Sequence, residues 1–318
     1  MEQDARQASA NAQGGASNAT RATFDGAIRK AFSSQSTLLG RAEHCSLDPQ
    51  RLASIGLVVG TQLRVTRDSG QLALYTVSET RQEAVDATIR MALTARQRLG
   101  TSEAFDASVD TQVPHPTFSD AEAREHSEFV ERLDDNGRQA GLVALAPHGG
   151  AIERQTDQQA ERVAAILGCD RASVWCCKGF NTGGGAFERW HVTSTDIHEA
   201  SFPLLNAIVG RGFAQAVSFH GFSEADVLVG GTALGSFKQE IAAALECALT
   251  GSGIEVRVAR ASEEYDGDNP RNIVNRISAN GANGVQIEQS LEAREGFWQP
   301  IAEAVASVYR QWLPLQTS

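Results

Sequence analysis

Four residues have the types that metal-assisted hydrolysis requires, and each is delivered by an apolar run. In GLVALAPHGGAIERQTD (residues 141–157) the run stops at His148, and Glu153 returns five positions later across two glycines. FAQAVSFHG ends in His220 and Gly221, and NGVQIEQS sets Glu288 inside an otherwise apolar stretch. Two histidines and one carboxylate are a common catalytic zinc set, with a fourth position left to water. Zinc in such a set lowers the pKa of water and polarises a carbonyl. A separate carboxylate must then take and deliver protons, and Glu288 is free to do so. Pattern alone leaves other readings open. A histidine closing a strand is commonly structural, and Glu288 can equally be ion-paired in the core or lie on a solvent face. The glycine-rich NTGGGAFERW lacks the Lys-Ser/Thr of a phosphate loop and contains no GxGxxG.

The elements that must position these residues alternate from about residue 140. GLVALAPH, ASVWCCKGF, FAQAVSFHG, DVLVGG, GIEVRVAR and NGVQIEQS read as strands. TDQQAERVAAILG reads as a helix capped by Thr156 or Asp157 and stopped by Gly168, PLLNAIVGRG and SFKQEIAAALECAL as further helices, PRNIVNRIS as a short helix or turn, and GFWQPIAEAVASVYRQWL as a closing helix. WHVTSTDI follows the glycine-rich loop as a strand-like piece, and SDAEAREHSEFVERLDDNG as a polar helix with Phe129, Val130 and Leu133 on its apolar side. The pattern predicts an α/β fold with a parallel or mixed sheet flanked by helices, in which ligands bind beyond the carboxyl ends of strands. Upstream, LLGRAEHCSLDP, GLVVGTQLRVTRD and GQLALYTVSET are short, turn-punctuated strands that predict a small β-rich module over residues 35–112. That module is either an extension packed on the main domain or a ligand-binding unit. Residues 1–34 read as a mobile tail, with TFDGAIRKAF as a short helix, and residues 113–318 as the main domain.

Composition excludes several classes. The formal net charge is −11 with no basic cluster, which argues against nucleic acid and anionic membranes as partners. No apolar run is long enough to span a bilayer, and the first residues lack a signal-peptide pattern. Five cysteines, an odd number without a CxxC pair, read as free thiols. These features predict a cytoplasmic protein and set no oligomeric state.

APHGGAIE, WHVTSTDIHE, VSFHGF, NPRNIVNR and GVQIEQSLEAR, in this order over about residues 140–310, resemble the poly-γ-glutamate hydrolase family. The resemblance implies a zinc amidohydrolase related to the carboxypeptidase A fold. Its zinc pattern falls on His148, Glu153 and His220, and its catalytic carboxylate on Glu288. Where family members commonly have Pro-Gly after the ligand glutamate, this chain has Arg154-Gln155. The implied substrate is an acidic γ-glutamyl oligomer, every unit of which carries a carboxylate. Arginine holds a carboxylate through two parallel hydrogen bonds. NPRNIVNR supplies Arg271 and Arg276 beside Asn275, and Arg294 is a third cation that can hold the substrate or support the oxyanion. His191, Thr193, Ser194 and Thr195 either line the cleft or belong to an alternating strand. Two other functions stay open: an amidohydrolase or carboxypeptidase for another acidic or N-acyl amino acid, and a non-catalytic binding protein on the same scaffold.

Overall fold

The computed structural model describes residues 21–313. Six short strands close a barrel: β1 (Thr23–Lys30), β2 (His44–Leu47), β3 (Gln62–Arg67), β4 (Leu72–Thr80), β5 (Thr88–Met91) and β6 (Phe105–Asp110), in the order β1-β5-β2-β4-β3-β6. Closure leaves no open edge, the usual liability of small sheets. Helix α1 (Pro49–Ser54), capped by the Asp48 side chain, and α2 (Leu93–Gln97) fill two of its connections. Leu63, Val65, Ala73, Tyr75 and Val77 face the barrel core. β1 corrects the expected short helix at TFDGAIRKAF. It pairs antiparallel with β6 and parallel with β5, so ladder bonds on both sides override the local helical pattern. The β-rich unit therefore starts before residue 35. The expected mobile tail falls mostly on residues 1–20, which lie outside the described residues.

Helix α3 (Asp120–Glu125) carries a Ser119–Glu122 capping box and leads into the seven-stranded sheet. Its strands are β7 (Phe129–Asp134), β8 (Leu142–Gly150), β9 (Ala172–Gly179), β10 (Gln215–Gly221), β11 (Val227–Gly230), β12 (Val256–Val258) and β13 (Gly284–Gln289), ordered β12-β11-β13-β10-β8-β9-β7. The central strands β13, β10, β8 and β9 run parallel, while β7 and β11 are antiparallel to their neighbours β9 and β13. The sheet is thus mixed, and the fold is α/β with helical layers. β7 corrects the long polar helix expected over 119–137. Helix α3 ends at Glu125, Ser127 takes a left-handed φ of 56°, and Phe129 to Asp134 pair with β9.

Three long helices cover one face: α4 (Thr156–Leu167), α7 (Gly235–Ala248) and α9 (Leu291–Trp312). Ala144, Ala146, Val217, Phe219, Val285 and Ile287 pack against them. α4 is entered through Gln155 in a left-handed conformation with no side-chain cap, which corrects the expected Thr156 or Asp157 cap. Short helices α5 (Ala186–Trp190), α6 (Pro203–Asn206) and α8 (Ile273–Arg276) cover the other face with the loops between them. Leu74 belongs to this second core although β4 is a barrel strand. β4 is therefore apolar on both sides, one for each core.

The stretch WHVTSTDI forms no strand. After Trp190 the chain runs as turns that barrel side chains hold in place. Arg98 donates to Glu188 O at 2.8 Å and His191 O at 3.3 Å, Gln62 Nε2 donates to Asp196 O at 2.7 Å, and His44 Nε2 lies 3.1 Å from Asp196 Oδ2. Nearby, Arg64 grips Glu128 through Nη1 at 3.1 Å and Nη2 at 2.8 Å, and its guanidinium lies over the Trp190 ring. Against the upward push of burial, Arg64 holds the Glu128 carboxyl below its usual range. A carboxyl depressed in the folded state contributes stability above its unfolded pKa and loses it as pH falls through the folded value. Glu128→Gln is expected to cost about 2 kcal/mol at pH 7, as loss of charge-assisted bonds does. It should also flatten the fall in stability below about pH 4.5, the unfolded carboxyl range. Denaturant unfolding at pH 7 and pH 4 checks both.

Candidate metal centre and cleft

β8, β10 and β13 lie side by side, and each brings one residue to the same end of the sheet. His220 on β10 stands opposite Glu288 on β13 in parallel register. His148 arrives by a different device. β8 pairs Ala146 with Cys176 and Gly149 with Lys178, so β8 carries one extra residue, a β-bulge at Pro147–His148. Unbroken alternation would give His148 the helix-packed face of Ala144 and Ala146. The bulge re-aims it to the cleft, a common use of bulges beside sites. The glycines that follow serve packing rather than space for a ligand. A Cβ on Gly149 would lie 2.6 Å from Asp157 Cβ, and one on Gly150 2.8 Å from Gly179 O.

The cleft measures about 710 Å³. His148, Glu153, His191, His220, Glu288 and Arg294 line it, together with Phe222 and Tyr265. His148 Nδ1 is 3.0 Å from Glu153 Oε1 and 3.2 Å from His220 Nδ1, and His220 Nδ1 is 3.6 Å from Glu153 Oε2. His148 Nε2 donates to Val192 O at 2.9 Å, so in the neutral ring Nδ1 carries the lone pair. His148 Nδ1 and the Glu153 carboxylate thus both turn acceptor atoms toward His220 Nδ1. His220 Nε2 is buried without a protein partner among the described residues. A proton or a cation must lie among acceptors so arranged, and N,N,O donors with a backbone-oriented histidine suit a divalent metal. His148, Glu153 and His191 also place one ligand atom each within 4.8 Å of one another.

The electrostatics separate the two carboxylates. Against burial, His148 and His220 hold Glu153 well below the usual carboxylate range. Burial and the Glu153 charge push Glu288 well above it, partly offset by Arg294. Burial lowers the pKa of His220, while Glu153 raises that of His148 against burial. Paired titratable groups driven apart in this way are a mark of acid–base sites. Glu288 is also oriented: Gln286 Nε2 donates to its Oε1 at 2.9 Å, and Asn272 Nδ2 donates to Gln286 Oε1 at 2.6 Å.

The expected carboxylate binders divide. Arg276 bonds Glu199 at 2.7 Å and Ile197 O at 3.1 Å, and Arg271 pairs with Asp196 at 2.9 Å. Asn275 is fully buried and fastens the 267–269 loop through Gly267 O and Asn269 O. These three tie the cleft wall together and do not line it, which corrects their expected role. Arg294, in the first turn of α9, does line it. Its Nη1 donates to Arg154 O at 2.8 Å, and it makes no ion pair among the described residues. Gly221 makes room for it, since a Cβ there would lie 2.3 Å from Arg294 Nε. Gly221→Ala is expected to displace the guanidinium and raise KM for an anionic substrate about tenfold, with a smaller effect on kcat, the loss of one charge-assisted contact. Arg294→Ala should match it in steady-state kinetics. His191, which the sequence left open between the cleft and an alternating strand, lines the cleft, as do Gln286 and Asn272.

Fold and site define an α/β protein whose buried His/Glu donors are able to hold a divalent cation beside a second buried carboxylate. The chain belongs to the poly-gamma-glutamate hydrolase family, whose model matches residues 117–308. It is 30% identical over 155 residues to the SPbeta prophage-derived protein YoqZ of Bacillus subtilis (strain 168), a match covering 48% of this chain and 50% of that protein. The chain thus spans about half the length of this curated relative. Among solved structures, a bacteriophage poly-gamma-glutamate hydrolase is 26% identical, with 60% of this chain and 95% of that one covered at a TM-score of 0.47. The zinc-free form of YNDL is 23% identical, covering 58% and 90% at a TM-score of 0.46.

Proposed function

We propose that this protein is a zinc-dependent hydrolase of γ-glutamyl amide bonds in poly-γ-glutamate or a similar acidic oligomer. The convergence of His148, Glu153 and His220, with Glu288 facing the same cleft, carries the reading. The three convergent residues would hold the metal. When bound, zinc supplies Lewis-acid polarisation of the amide and a lowered pKa for water. Glu288 takes a proton from the attacking water as its oxygen bonds the amide carbon. It returns that proton to the leaving nitrogen as the C–N bond breaks, and the second water proton, left on the new γ-carboxyl group, passes to the amine, giving a γ-carboxylate and an ammonium end. Gln286 and Asn272 keep the Glu288 oxygen aimed at the cleft. Arg294 receives a substrate carboxylate by paired hydrogen bonds, and burial strengthens that contact by excluding water. Burial and the Glu153 charge raise the Glu288 pKa in the metal-free protein, and a cation at Glu153 would offset part of that rise, leaving a carboxylate able to accept the proton.

The test is direct. Purified full-length chain is loaded with zinc and given poly-γ-glutamate, α-linked polyglutamate and N-acyl glutamates. New amine ends and shortened chains with the γ-linked polymer alone are expected. Turnover of N-acyl glutamates in preference to the polymer would overturn the substrate, and no turnover of any amide by zinc-loaded protein would overturn the enzyme.

A further inference from the structure

A carboxylate of the barrel unit reaches a histidine of the cleft. Glu43 lies just before β2, well outside the family match at residues 117–308. Its Oε1 accepts from His191 Nδ1 at 2.5 Å, and its Oε2 accepts from Thr193 N at 2.9 Å and Thr193 Oγ1 at 3.2 Å. A carboxylate has no hydrogen to give, so this bond keeps the proton on Nδ1 and makes Nε2 the lone-pair nitrogen of the neutral ring. Nε2 faces Glu153 Oε1 at 3.8 Å. The ring has little freedom to turn away. Phe187 stacks on it at 4.2 Å and 21°, and the His148 ring lies 4.2 Å away. Arg98, also from the barrel, holds the His191 carbonyl.

We propose that His191 is a further donor to the cation held by His148, Glu153 and His220, and that Glu43 of the barrel is the positioning residue that sets its tautomer and aim. A carboxylate behind a ligating histidine is the common way proteins orient such rings, and its loss typically costs tenfold to a hundredfold in metal affinity. A fourth protein donor leaves room for water where the site expands to five ligands, as some catalytic zinc sites do. The β-rich unit is then part of the metal centre, whatever else it does. This inference rests on the metal-dependent reading above.

The experiment uses full-length, metal-stripped protein and the metal alone. Co²⁺ is titrated and its visible absorption recorded, and Zn²⁺ affinity is measured by competition with a chromogenic chelator. His191→Ala and Glu43→Ala are each expected to weaken Zn²⁺ binding about tenfold or more and to alter the Co²⁺ bands. Glu43→Gln keeps an oxygen that can accept from Nδ1–H, and it should recover most of the affinity. If Glu43→Ala fails to fold, His191→Ala and Glu43→Gln still decide. Wild-type spectrum and affinity in His191→Ala, alongside metal loss in His148→Ala, would overturn this inference alone. A wild-type chain that takes up no divalent metal would overturn it together with the proposed function.

Discussion

Glu288→Gln is expected to lower kcat for γ-glutamyl hydrolysis by about 10²–10⁴-fold, the span typical of a removed general acid–base. Zinc content and the unfolding transition should stay at wild-type values. The amide has the same shape and can still receive the Gln286 Nε2 hydrogen bond through its oxygen. It cannot accept the proton of an attacking water. A neutral group is also tolerated where burial and Glu153 disfavour a charge. Metal analysis beside steady-state kinetics separates this outcome from a structural one. Near-normal turnover with zinc bound would remove Glu288 from the reaction.

Glu153→Ala should abolish activity by another route. It removes the one carboxylate among the convergent donors and leaves His148 Nδ1 and His220 Nδ1 facing each other at 3.2 Å. Metal affinity is expected to fall by more than about a hundredfold, beyond the loss typical of an outer-shell partner. A second effect follows from packing. Glu153 Oε2 accepts from Gly221 N at 3.0 Å, so the carboxylate also fastens the turn after β10. The buried amide left unpaired costs about 1–3 kcal/mol. The metal-free variant should therefore melt below metal-free wild type, whereas metal-free Glu288→Gln should not. Calorimetry on the two stripped variants makes the comparison. Full metal content in purified Glu153→Ala would sink the ligand assignment.

Much of the α/β layer was legible because its strands are short apolar-rich runs bounded by glycine or polar residues. Leu142–Gly150, Gln215–Gly221 and Gly284–Gln289 all lie where the pattern put them. The errors share a cause. Thr23–Lys30 and Phe129–Asp134 are polar enough to pass for helix, and they become strands only through ladders with β6, β5 and β9. Site arginines were misplaced for a similar reason. Arg276 and Arg271 stand in a motif with the right composition, but Glu199 and Asp196, far off in sequence, already occupy them. Arg294 is set apart only by lacking such a partner, which no local pattern reveals. The Glu43–His191 contact spans 148 positions and joins two units read as separate.

β4, apolar on both sides, has a consequence for synthesis. Every barrel strand lies within residues 23–110, so the barrel can close before any strand of the large sheet has left the ribosome. Its outward Leu74, and the half-buried Leu72 beside it, must then wait in water until β8, β9 and the loops of the second core arrive. A nascent chain stalled at that length presents a small apolar stripe next to a finished fold. Interdomain misassembly begins at surfaces of this kind, and chaperones recognise them. The strand that unites the two halves of the molecule is thus also a liability while it is being made.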